Sequence, residues 1–349
     1  DRAAIHEAGG RTQTWAGLNA NANRVARRLE DAGLQPGDAV ALVCTNRVEF
    51  CEVLSGAMRI GLRLTPVNWH LTAEEIAYVV KDCQAKALFG DVRVPAIAEA
   101  ADQCPDLRLK VAIGGSLDGF ETWDHAIGGL DGGDIANPVR GYTMLYTSGT
   151  TGRPKGVFKP DAPAPVFNPA YDRAHDMHMC TGPAYHAAPL MGDVRRPLTN
   201  GVPLVFIDKW ESEAVLRTIH THRVTNTHMV AIMFQRLLAL PQEVKSRYDL
   251  SSLKVITHGA APCPPEVKRA MIDWVGPILS EYYAGSEGGA GFRLDSHEWL
   301  RKPGSVGRMP YPGAAKILDD EGQELPRGRP GGGRGGGQGR GHRRRCGAR

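Results

Sequence analysis

Leu18, Ala22, Val25 and Leu29 recur at helical spacing through residues 15–32, with Thr14 placed to cap the start and Gly33 to end it. Pro36, Gly37 and Asp38 make a turn, and the unbroken apolar run 39–44 predicts a buried strand. A helix over 48–60 and a strand over 62–67 follow. Thr72 and Glu75 form an S/T-x-x-E capping box that opens a third helix running to Lys81, and 85–89 predicts another strand. Strands alternating with amphipathic helices predict a parallel sheet covered on both faces.

The pattern fades over 114–133, a glycine-rich stretch expected to run over the surface, and returns at 142–146, a short apolar run that suits a buried strand. Pro160, Pro163, Pro165 and Pro169 then exclude a regular helix. A second α/β sheet is predicted from strands at 202–207, 224–229, 253–257 and 278–283, with helices at 211–222, 232–240 and 265–275 between them. Pro265 suits the first turn of its helix. Residues 304–325 shift to short strands and turns, with Asp320, Glu321 and Gly322 as a hairpin candidate. The expected fold class is thus α/β, with two stacked α/β sub-domains over about 1–140 and 141–300 and a small β unit over 301–328.

Composition changes this picture at one end only. The chain of 349 residues carries 42 Lys and Arg against 38 Asp and Glu, a formal charge of +4. Eight arginines and no acids fall in 327–349, so the remainder holds 34 basic against 38 acidic side chains. Residues 329–349 are a Gly/Arg-rich tail expected to be disordered. Two readings of the tail compete: an RNA-binding arginine–glycine segment, and the product of out-of-frame translation of a GC-rich gene, which is favoured. No run of about 18 apolar residues predicts a membrane-spanning helix. Seven scattered cysteines without a C-x-x-C pair suggest neither a disulfide framework nor a zinc site, and a reducing cytoplasm is expected.

The densest chemistry lies at 146–157, YTSGTTGRPKGV. Gly149, Gly152 and Gly156 allow close approach of a ligand, Thr147, Ser148, Thr150 and Thr151 add hydroxyls, and Lys155 supplies one full charge. Such a loop suits a polyphosphate; an ordinary polar hairpin is the plain alternative. The P-loop pattern G-x-x-x-x-G-K-[ST] is not met, because Gly149 and Gly152 are too close and Gly156 follows the lysine.

This twelve-residue string resembles the phosphate-binding signature of the adenylate-forming superfamily of acyl-CoA synthetases, peptide-synthetase adenylation domains and luciferases. Three further stretches fit the resemblance. THGAAP at 257–262 offers Gly259, Ala260 and Ala261, whose lack of bulk lets a flat base lie against the backbone; in the family this is a wall of the adenine pocket. YYAGSEG at 282–288 is close to the family's YGxTE: the resemblance implies Tyr283 stacking on adenine, Gly285 in the nucleotide site, Ser286 binding phosphate, and Glu287 holding Mg²⁺. It departs in Ala284 and in Ser286 for threonine. Tyr185 and His186 look like the aromatic–His segment beside the acyl and nucleotide pockets, where His186 would orient a carboxylate or phosphate; a structural histidine is the equal alternative. The stretch from Gly304 to Arg308 matches a G-x-x-G segment and is expected to be scaffold.

The resemblance implies a large adenylate-forming domain over 1–328 that uses ATP, Mg²⁺, coenzyme A and a small-molecule carboxylic acid. The implied enzyme is an AMP-forming acid–thiol ligase of lipid metabolism, of the fatty-acid–CoA ligase type, with an aryl-acid ligase close behind. Lys155, Glu287 and His186 are its implied catalytic residues. A ribose-binding aspartate, a hinge and a lid-domain lysine are expected beyond 328, where this sequence turns to Gly and Arg, so adenylation by this chain is expected to be impaired. A non-catalytic nucleotide-binding remnant, or an RNA-binding protein acting through its tail, is the alternative of a different class.

Overall fold

The computed structural model describes residues 2–147, 153–158, 167–285, 291–309, 315–319, 322–326 and 332–335. The chain divides into two units, Asp1–Glu211 and Ser212–Arg349.

Thr14 caps the first helix, Trp15–Asp31, by accepting from the Gly17 amide at 3.0 Å. The strand Ala39–Val43 follows, wholly buried, and sits at the centre of a parallel sheet. Its neighbours are Ala85–Asp91 on one side and Arg63–Pro66 on the other. Leu109–Ile113 and Glu121–Thr122 extend the sheet beyond Ala85–Asp91, and Tyr142–Thr143 closes its other edge.

Alternate residues of the central strand point to opposite faces. Val40 and Leu42 pack in a cluster with Val25 and Leu29 of the first helix and Phe50 and Val53 of the second, Val48–Arg59. Ala39, Ala41 and Val43 pack instead with Ile76 and Val80 of the third, Ala73–Asp82. Both faces are therefore covered, as the unbroken apolar runs require. The capping box of Thr72 and Glu75 is present.

The structure differs from the sequence reading in four places. The run 142–146 is two short strands rather than one buried strand. Tyr142–Thr143 lies on the edge of the sheet and Leu145–Thr147 turns away to pair with Lys155–Val157, leaving both half-buried. The stretch 114–133 holds a strand and the helix Trp123–Ile127, capped by Thr122. Ala3–Glu7, unforeseen, pairs in parallel with Leu204–Phe206, which pairs on its other side with His178–Cys180. Gly332–Gly335, in the segment expected to be disordered, pairs antiparallel with Ala315–Leu318, because a backbone ladder needs no side chains. Asp320 and Glu321 of the expected hairpin lie outside the described residues, although Leu318 bridges Glu324 across them.

In the second unit Asn226–Met229, Val255–His258 and Leu279–Tyr283 run parallel, and Phe292–Asp295 returns antiparallel beside the last. Ser212–His222, Ala231–Leu238 and Pro265–Val275 are its longer helices, within a residue or two of their predicted bounds.

Candidate functional site

In the second unit the strand register sets the geometry. His258 pairs with Glu281 across two parallel strands, so the chain leaving Val255–His258 at Gly259 meets Tyr282 on its neighbour. A Cβ at Gly259 would stand 2.5 Å from the Tyr282 carbonyl oxygen and 2.7 Å from its ring, so only glycine fits. Ala260 follows at φ +65°, a left-handed conformation that an alanine adopts at a cost of about 1–2 kcal/mol. The sequence-flagged Gly259, Ala260 and Ala261 thus lie at the carboxyl end of one strand, and Tyr283 at the carboxyl end of the next. Tyr282 points inward and hydrogen-bonds buried His228 at 3.1 Å. Tyr283 points outward, 56% exposed, with its ring edge-on to Phe292 at 5.9 Å. Gly285 follows; Ser286 and Glu287 lie outside the described residues.

Beneath this surface is a charged group that sequence reasoning missed. Lys268, fully buried on the helix Pro265–Val275, donates to Glu281 Oε2 at 2.5 Å. His258 Nε2 stands 3.9 Å from the same oxygen and has no hydrogen-bond partner. Burial, helped by the charge of Lys268, pushes the His258 pKa down to about 3, so the ring is neutral. Burial pushes Cys263 up to about 11, which makes it an inert thiol. Thirteen residues separate Lys268 from Glu281, and no local pattern announces the pair.

In the first unit Leu145–Thr147 and Lys155–Val157 form a hairpin, with Thr147 opposite Lys155. Ser148, Gly149, Thr150, Thr151 and Gly152 lie outside the described residues. Both ends of the hairpin tip are tied to the helix Ala73–Asp82. The Tyr146 hydroxyl donates to Asp82 at 2.6 Å, and the Arg153 guanidinium lies over the Tyr78 ring at 5.3 Å. Gly156 serves packing: a Cβ there would meet the Met144 methyl at 2.1 Å. The Lys155 side chain is exposed.

His186 belongs to a separate segment of the first unit. Its ring lies 4.4 Å from that of Tyr185, which in turn packs edge-on to Trp69 at 6.5 Å. His186 has an exposed edge, and the burial of the rest pushes its pKa below the ordinary histidine value. The preceding loop is clamped by buried Asn46, which donates to the carbonyls of Gly182 and Ile207 and accepts from the Ala184 amide at 2.9 Å. These partners lie more than 130 residues from Asn46, so the clamp was invisible in the sequence. Gly307, in the segment expected to be scaffold, sits at φ +91° where a Cβ would strike the Arg293 carbonyl, and Arg293 and Arg308 exchange backbone hydrogen bonds.

A profile of AMP-binding enzymes matches residues 1–333. The chain belongs to that family. Among curated relatives, it is 28% identical over 335 residues to the fatty acid–[acyl-carrier-protein] ligase ScoC of Streptomyces coeruleorubidus, covering 91% of this chain and 63% of that one. It is 30% identical over 333 residues to a feruloyl-CoA synthase of an Amycolatopsis species, covering 93% of this chain and 64% of the relative. The chain therefore spans less than two thirds of the length of these relatives. The ATP-bound structure of MatB from Rhodopseudomonas palustris superposes with a TM-score of 0.75 at 26% identity, over 96% of this chain and 67% of that one.

Among the described residues no group of three His, Cys, Asp or Glu side chains could hold a metal ion, and no helix is long and apolar enough to cross a membrane. The six described cysteines are free thiols, five of them buried.

Proposed function

We propose that the chain is the nucleotide-binding part of an ATP-dependent acid–thiol ligase, which activates a small-molecule carboxylic acid as its acyl-adenylate and passes the acyl group to coenzyme A. The observation that carries this reading is the seating of Gly259 against Tyr282 in a chain of the AMP-binding family. It sets a bare backbone wall and the exposed Tyr283 ring at the carboxyl ends of adjacent parallel strands, where open α/β sheets take their ligands. In this reading adenine lies along Gly259, Ala260 and Ala261 and stacks on Tyr283, and Gly285 leaves room beside it. Thr147, Ser148, Thr150, Thr151 and Lys155 take the phosphate tail, with Gly149 and Gly152 admitting it closely. Ser286 adds a hydroxyl and Glu287 an oxygen ligand for Mg²⁺. His186 orients the acid.

A carboxylate oxygen then attacks the α-phosphorus and pyrophosphate leaves; the coenzyme A thiol attacks the new carbonyl and AMP leaves. The charges at Lys155 and Glu287 act by electrostatic preorganisation rather than by covalent chemistry. The likeness to a fatty-acid ligase supports a fatty acid as substrate. The likeness to a feruloyl-CoA synthase supports an aryl acid as the second reading. A reducing cytoplasm suits the free thiols.

The test is calorimetry with AMP and Mg·ATP, followed by pyrophosphate release across fatty, aryl and amino acids by this chain and by a version with an intact C-terminus, in which the rates of variants are compared. Nucleotide binding and a preference for fatty acids are expected. K155A and E287A are expected to lower the rate by about 10²–10³. A folded chain that takes up neither AMP nor Mg·ATP overturns the reading.

A further inference from the structure

We infer that the buried Lys268–Glu281 ion pair is a positioning device for the loop 259–264, holding the bare backbone wall in the shape that receives a nucleotide; the nucleotide part rests on the function proposed above. Three observations carry it.

The first is connectivity. The loop leaves the strand Val255–His258, passes through Gly259, Ala260 and Ala261, and enters the helix Pro265–Val275. One turn into that helix, Lys268 reaches back at 2.5 Å to Glu281, the residue that pairs with His258 at the start of the loop. Strand, loop, helix and ion pair thus form a closed ring, and the ion pair is the contact that shuts it.

The second is strain. Ala260 is held at φ +65° and Gly259 in a space too small for a methyl group. A loop in a sparsely populated conformation persists only when its surroundings over-determine it. Gly259, Ala260 and Ala261 have no side chain able to hydrogen-bond, and the rings of Pro262 and Pro264 and the contact of Cys263 Sγ with the Pro264 carbonyl fix only the far half of the loop. The restraint comes from the ends.

The third is that packing alone gives no reason for charge here. Lys268 is fully buried, with its ammonium also 5.0 Å above the Trp299 ring, and Glu281 is buried beside it. Buried ion pairs are often replaced by apolar residues without loss of stability. A short directional contact fixes where the helix start lies relative to the strand; an apolar contact fixes it less sharply.

The test compares the parent with K268M and with the double variant K268M/E281L, which removes both charges and refills the space. Thermal melts report global stability. Hydrogen exchange of the peptide covering 259–264 reports the loop, and calorimetry with AMP reports the nucleotide site. The double variant is expected to melt near the parent while exchange in 259–264 speeds at least about tenfold and AMP affinity falls about tenfold. A double variant with parental exchange in this loop overturns the inference, whether or not K268M folds. The exchange experiment needs no nucleotide. A parent that fails to bind AMP therefore defeats the proposed function separately, and leaves the positioning of the loop to be judged by exchange.

Discussion

A Cβ built on Gly259 stands 2.5 Å from the carbonyl oxygen of Tyr282. The obstacle is backbone on a central strand, so it cannot swing aside as a side-chain tip would. G259A is therefore expected to force the two strands apart at their carboxyl ends, at a cost of about 1–3 kcal/mol. Chemical denaturation measures the loss, and AMP affinity is expected to fall with it. A G259A chain of parental stability would show that the strand ends separate freely.

Ala260 stands next in the chain, at φ +65°. Replacing it with glycine removes the clash of Cβ with the backbone but adds freedom to the unfolded chain. The two effects nearly offset, so A260G is expected to change stability by less than about 1 kcal/mol. A β-branched residue has no such relief, and A260V is expected to lose about 1–2 kcal/mol. Equal losses in both variants would mean that the methyl group, not the backbone, matters.

His258 gives the stability a pH dependence with a fixed sign. Burial first, then the charges of Lys268 and His228, hold its folded pKa near 3, against 6.5 for an ordinary histidine. The unfolded chain therefore binds the proton more readily between those values. The stabilisation is complete above pH 6.5 and is lost as pH falls towards 3, with a slope of up to about 1.4 kcal/mol per pH unit. Urea denaturation between pH 7.5 and 5, compared with H258Q, isolates this residue from the carboxylates that titrate lower. Parallel curves for the two proteins would refute the assignment.

Tyr146 ties the hairpin to the helix Ala73–Asp82 through its hydrogen bond to Asp82. Burial and that carboxylate both push the Tyr146 phenol well above the usual tyrosine range, so it remains a donor at any working pH. Y146F is expected to cost about 1–2 kcal/mol of stability. It is also expected to raise the KM for Mg·ATP more than it lowers kcat, because the phosphate loop is loosened rather than its charge removed. An unchanged KM would separate the tether from the site.

The longer elements were legible where the pattern was local, whereas the five-residue helix Trp123–Ile127 was too short to show a periodicity. Thr14 and the spacing of Leu18, Ala22, Val25 and Leu29 specified the first helix, because caps and 3.6-residue periodicity act within a few turns. The same holds for Pro265–Val275, whose bounds were met at both ends. The strand Ala3–Glu7 was missed because its partner is Leu204–Phe206, and no local signal encodes a pairing some 200 residues away.

The candidate site divides in the same way. By itself the sequence determined the chemistry available: bare backbone at Gly259, Ala260 and Ala261, an aromatic ring at Tyr283, and hydroxyls with the cations Arg153 and Lys155 beside them. Tertiary structure alone decided that Gly259 abuts Tyr282, that Lys268 closes on Glu281, and that Asn46 clamps the loop before His186. Composition and spacing fix what a segment can offer; strand register and burial fix what it stands beside, because both are set by residues far apart in the chain.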